Sequence, residues 1–184
     1  MKSGVLRNAA AGIYIIILML LSTSCEKNVP YLQELNPGKD PGSLTNPAIP
    51  QYNLDVALRS ETVKDSKEDI SFGFIKFRQN PDTARIIDLD TWVFHLEPDR
   101  AYQLQRAVNP ITDNSCSSIA WLTLGSGLVP LSLHTDLHGD GHADLFRNVT
   151  SVAREAAFRI HFQVIDSITK ITVLTSDCYA YKVR

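Results

Sequence analysis

Phe158-Arg-Ile160-His-Phe162-Gln-Val164 alternates apolar and polar residues without a break. The two-residue period of a strand places Phe158, Ile160, Phe162 and Val164 on one face, with Arg159, His161 and Gln163 on the other. Shorter segments of the same character are Asp55–Arg59, Ile70–Arg78, Arg85–Leu96, Tyr102–Val108, Ile119–Leu124, Leu131–His134, Ala143–Val149 and Ile171–Val183. They are rich in Ile, Val, Phe and Thr and are separated by Pro, Gly, Asn and Asp turn residues. No long stretch carries a 3.6-residue apolar period. Many short strands without helices predict an all-β domain over 52–184, with an antiparallel β-sandwich as the expected architecture.

The pattern before residue 52 is different. Lys2 and Arg7 precede an uncharged apolar run, Ala9–Leu21, which ends in Ser22-Thr23-Ser24 and Cys25. That run has the length of a secretory signal core and is too short to span a bilayer comfortably. From Glu26 to Gln51 the chain holds Pro30, Pro37, Pro41, Pro47 and Pro50 with Gly38 and Gly42, and no periodic apolar pattern survives. Such a segment stays extended and reaches roughly 80 Å at about 3 Å per residue. The expected organisation is therefore a signal peptide at 1–24, a tether at 25–51 and one domain at 52–184.

The small-residue stretch ending in Cys25 resembles the lipobox of bacterial lipoproteins. The usual Leu three places before the Cys is replaced by Ser22, with Leu21 one place further out. This relaxed form, followed by Glu26-Lys27, is most similar to lipoproteins of the Bacteroidota. The resemblance implies lipidation of Cys25 as the first mature residue. It also implies a chain held to the membrane of the bacterial cell envelope, the outer membrane in particular, by its N-terminal lipid. Asp82-Thr83-Ala84 and Asp166-Ser167-Ile168 fit the pattern at which Bacteroidota glycosylate exported proteins, making Thr83 and Ser167 candidate O-glycosylation sites. Asn148-Val149-Thr150 matches a eukaryotic sequon, which means little in a bacterial chain.

Leu96-Glu-Pro98-Asp-Arg-Ala-Tyr102-Gln-Leu104-Gln-Arg-Ala-Val108 resembles the turn and penultimate strand of fibronectin type III and related Ig-like domains. The match covers Leu96, Pro98, Tyr102, Leu104 and Val108. It departs at Arg100, where Thr is usual, and at Arg106, where an apolar residue is usual. Some 75 residues follow Val108, where a fibronectin module needs one more strand. The resemblance implies an Ig-like sandwich without implying the fibronectin strand order.

Composition narrows the function. The chain has 18 Lys+Arg and 20 Asp+Glu, and residues 1–24 contain only Lys2 and Arg7 among charged residues, leaving 16 against 20 after cleavage. With no basic stripe, nothing favours nucleic acid as a partner. Of three Cys residues, Cys25 is consumed by lipidation, and Cys116 and Cys178 remain as an expected disulfide in an oxidising compartment. No G-x-S-x-G, H-E-x-x-H or G-x-x-x-x-G-K-[ST] motif is present, and Gly125-Ser126-Gly127 is a turn-like tripeptide. The chain therefore reads as a non-enzyme, a binding or assembly domain for an envelope protein or a glycan. The alternatives are a calcium-dependent adhesion or carbohydrate-binding module and, third, an envelope hydrolase.

Ligand-type side chains are densest at His134-Thr-Asp136-Leu-His138-Gly-Asp140-Gly-His142-Ala-Asp144. Set against calcium loops, Asp136, His138, Asp140 and Asp144 fall at ligand positions, with His138 offering nitrogen where oxygen is expected. His134, His138 and His142 are the transition-metal alternative. The plainer expectation, a hairpin turned by Asp and Gly for local reasons, carries no cofactor at all. Trp92 alternates with Phe94 and Leu96, and Trp121 sits in an apolar run, so both are expected in the core, together with Tyr179, Tyr181 and Val183. The lone His95 at a strand end is expected to be structural.

Overall fold

The computed structural model describes residues 50–60, 71–81, 85–113 and 115–184. Cys25, the signal peptide, nearly all of the tether and Thr83 lie outside the described residues. All described residues belong to the compact unit Asn36–Arg184.

Those residues form twelve strands and no helix: β1 (Leu54–Arg59), β2 (Phe72–Gln79), β3 (Ile86–Phe94), β4 (Ala101–Pro110), β5 (Leu122–Thr123), β6 (Gly125–Ser126), β7 (Val129–Pro130), β8 (Leu133–His134), β9 (Gly141–Asn148), β10 (Ala157–Asp166), β11 (Thr172–Ser176) and β12 (Tyr179–Lys182). The hydrogen-bonded order is β5-β4-β10-β11-β1-β2-β3-β9-β6-β7, with β12 on β10 and β8 on β4. All pairings are antiparallel except β6 with β9. Because β5 and β6 are separated only by Leu124, the β5 end of this path returns to the strand next to its other end. The strands thus form one continuous, nearly closed, barrel-like arrangement.

Two features produce that closure. Strand β10 is shared: Ala157–Ile160 pair with β12, while Gln163–Ile165 pair with β11, which passes on to β1. The expected single strand Ile171–Val183 is accordingly two strands, broken at Asp177-Cys178. The second feature is the short chain 122–134, which stitches β4 to β9 through β5, β6 and β8.

The interior holds Leu54, Val56, Leu58, Ile75, Phe77, Leu89, Tyr102, Leu104, Ile160, Phe162, Val164, Leu174, Tyr179, Tyr181 and Val183. Phe77 packs edge-on against Phe162 and Tyr181, with centroids 6.4 and 5.5 Å away, so β2 meets β10 and β12 across the core. The inward face of β10 is the face its alternation predicts, and Tyr179, Tyr181 and Val183 are buried as expected.

Trp92 and Trp121 are not in the core, which corrects the expectation. Ile87, Leu89, Thr91 and Val93 face inward on β3, so Trp92 and Phe94 face outward. The phase is misleading because His95 adopts φ 56°, which resets the alternation and returns Leu96 to the interior. The expected strand Ile119–Leu124 also shrinks to Leu122–Thr123. Residues 111–113 and 115–121 instead lie over the outer face of β4 and β10 as a strap, held there by Asn109, Arg159 and His161, with Trp121 against His161 at 4.6 Å between ring centroids.

Candidate functional site

Three turns gather at the end of the barrel where β3 passes to β4, β8 to β9 and β10 to β11. Asp99 N–H donates to Asp136 C=O and Thr135 N–H to Arg100 C=O, while Ser167 N–H donates to Ala101 C=O. Side chains complete the weld. Thr135 Oγ1 donates to Glu97 C=O at 2.7 Å and accepts from Arg100 N–H at 3.0 Å. Arg100 Nε donates to Asp166 at 2.5 Å, and its Nη1 pairs with Glu97. Asp166 Oδ1 also accepts the N–H groups of Ile168 and Thr169 at 2.8 and 2.7 Å. The backbone donors, led by Thr169, hold the Asp166 carboxyl at a pKa of about 2, with Arg100 adding to the effect. Tyr102, buried beneath, accepts Glu97 N–H on its hydroxyl at 3.1 Å. Aliphatic tips project from this braced base: Leu137 is 75% exposed, Ile168 78% and Ile171 64%.

The His134–Asp144 segment is the β8–β9 hairpin. Asp136 Oδ1 accepts the N–H groups of His138 (2.8 Å) and Asp140 (3.0 Å), a local turn that the Asp side chain closes for itself. Asp140 Oδ1 accepts His95 N–H at 3.2 Å. Gly139 sits at φ 81°, and a Cβ there would stand 2.1 Å from Leu96 C=O, so this turn requires glycine. Among the described residues, Asp136, His138 and Asp140 do not belong to a gathered group of metal-ligand atoms; of the expected set only Asp144 does.

What it does bring together, across strands, is Asp90, His142 and Asp144, whose ligand atoms all lie within 4.8 Å of one another. His142 Nε2 is 2.7 Å from Asp90 Oδ1 and 3.5 Å from Asp144 Oδ1. Asp90 and Asp144 are register partners on β3 and β9. Sequence reading missed Asp90 because no local spacing links it to residue 142; the link is the β3–β9 register. One nitrogen and two carboxylates are half the donor set a divalent cation commonly fills.

Beside this group runs a row of rings. Trp92 stacks on Phe74 and on His142, each with centroids 4.6 Å apart, and Phe94 stacks on Phe72 at 4.9 Å. With Lys76 Nζ also 4.9 Å from its ring centroid, the Trp92 indole is already engaged by three neighbours.

Cys116 and Cys178 are joined, with Cα atoms 5.6 Å apart, tying the strap residues 115–121 to the β11–β12 corner. Asn109 binds Ser117 and Ser118, and His161 Nε2 lies 3.1 Å from Ser118 C=O. Burial lowers the His161 pKa, which this contact partly opposes. Ser167 is half-buried in the β10–β11 turn. Comparison of the chain with protein-family models, curated proteins and solved structures found no match.

Proposed function

We propose that this protein is a lipid-anchored, non-catalytic binding or assembly domain of the bacterial outer membrane that engages an envelope protein. The observation that carries the reading is the braced end of the barrel. Three aliphatic tips, Leu137, Ile168 and Ile171, stand exposed on turns held by Arg100, Thr135 and Asp166. Exposed apolar residues on a preorganised base lose little entropy on docking, which suits protein recognition. The contacts that the Trp92 ring already makes with Phe74, His142 and Lys76 favour a protein over a glycan partner. The disulfide accords with an oxidising envelope. The finer comparison, to an Ig-like sandwich, is supported by the Tyr102–Glu97 contact, which resembles the tyrosine corner of that fold.

Two measurements test the proposal. Cys25→Ala is expected to move the protein from the membrane to the soluble fraction, because stable attachment needs the acyl chains that Cys25 would carry. Unchanged detergent-extractable membrane association would reject the anchor. A photo-crosslinking residue at 137 or 168 is expected to give discrete adducts in intact cells. The same residue at 80, an exposed position at the opposite end, is expected to give none. Identical patterns from all three positions would reject the surface.

A further inference from the structure

Strands β4 and β9 do not hydrogen-bond to each other; they are bridged only by the two-residue strands β5, β6 and β8. An arginine flanks this seam on either side, and both face inward. Arg106 of β4 is in register with the buried Phe162, and Arg147 of β9 with the buried Ile87. Arg147 Nη1 donates to Gly127 C=O at 3.1 Å. Among the described residues Arg106 has no hydrogen-bond or ion-pair partner, although it is partly buried beside Phe162 and within electrostatic reach of Tyr181 and Arg147.

A guanidinium partly withdrawn from water, without a partner among the described residues and repelled by a second one, is costly to hold. Burial lowers the Arg106 pKa and the Arg147 charge lowers it further, with Tyr181 opposing. The residues two and four places further along the same face of β4 are Val108 and Pro110. They line an open depression of about 380 Å³ with Ile111 and Phe158. Two residues along a strand span about 6.6 Å, so Arg106 is the next residue on that face beyond Val108, at the edge of the hollow rather than in its lining.

We propose that the β4–β9 seam is a binding site for a small amphipathic anion. Arg106 takes the carboxylate, Arg147 adds a second positive charge, and the Val108–Phe158 depression takes the apolar body. The site lies outside the braced turns and is independent of the protein-docking surface there. No side chain of the prospective site is needed to hold the turns together.

Octanoate, below its micelle concentration, is the probe, with octanol and inorganic phosphate as controls. Octanoate is expected to bind the whole mature chain with a dissociation constant in the millimolar range or tighter and to raise its melting temperature. Octanol lacks the charge and phosphate the apolar body, so each is expected to bind at least 10-fold more weakly. Arg106→Met is expected to weaken octanoate binding at least 10-fold while melting no lower than the wild-type chain without ligand, since it removes an uncompensated charge. Val108→Phe leaves both arginines in place and fills the depression, and is expected to weaken octanoate alone. Undetectable octanoate binding at 10 mM, or affinity unchanged in both variants, would overturn the proposal. Octanol binding as tightly as octanoate would overturn the role of Arg106.

Discussion

Removing the Cys116–Cys178 bond is expected to cost a large share of the stability of this domain. The two residues are 62 apart in sequence, and the entropy lost on closing a loop of that size raises the free energy of the unfolded chain by about 4 kcal/mol at room temperature. Spread over a domain of about 130 residues, with an unfolding entropy near 2.1 cal/mol/K per residue, that corresponds to a drop of about 15 °C in melting temperature. The native strap has other attachments. Asn109 to Ser118, Arg159 to Asp113 C=O and the Trp121–His161 contact all persist without the bond. The reduced protein should therefore still fold, with amide exchange rising first in residues 115–121. The assay is thermal unfolding of the Cys25→Ala chain, oxidised and reduced, beside the Cys116→Ser/Cys178→Ser double variant. Thiol titration in denaturant should find no free thiol before reduction and two after it. Two reactive thiols before reduction, or oxidised and reduced melts within about 3 °C, would refute the reasoning.

Phe77→Ala empties a position that is 2% exposed and touches two other aromatic rings, so a loss of about 3–5 kcal/mol is expected in denaturant unfolding. Trp92→Ala is expected to cost only about 1–2 kcal/mol, the worth of its outward stacking contacts; a cost equal to that of Phe77→Ala would contradict the outward placement. The Asp166 carboxyl titrates lower in the folded than in the unfolded chain, about 2 against 3.8. Its contribution is therefore present above pH 4 and lost as pH falls towards 2. Asp166→Asn should flatten the acid limb of the stability profile in that window, and an unchanged limb would exclude Asp166 as its source. Millimolar Ca²⁺ is expected to leave the melting temperature unmoved, because Asp136 and Asp140 already accept backbone N–H groups; a rise of several degrees abolished by Asp140→Ala would show otherwise.

The local pattern was enough for most of the strands. Period-two alternation at Phe158–Val164 determines both the strand and its inward face, and Asp and Gly at 136–141 determine a hairpin turn, because these preferences act over a few residues of backbone. Two Cys residues left after Cys25 were likewise enough to expect their pairing. Alternation alone, however, cannot say which of two faces is buried when both carry apolar residues. On β3 that choice was made by the positive φ of His95 and by the partners available on β2 and β9, which turned Trp92 outward. Closure of the sheet also lay beyond the local pattern. It depends on β10 sharing its length between β11 and β12 and on two-residue strands too short to leave a periodic signal. The same holds for Asp90 beside His142 and for Arg106 across the seam from Arg147. These pairs are 52 and 41 residues apart, and only the register of the folded sheet places them side by side.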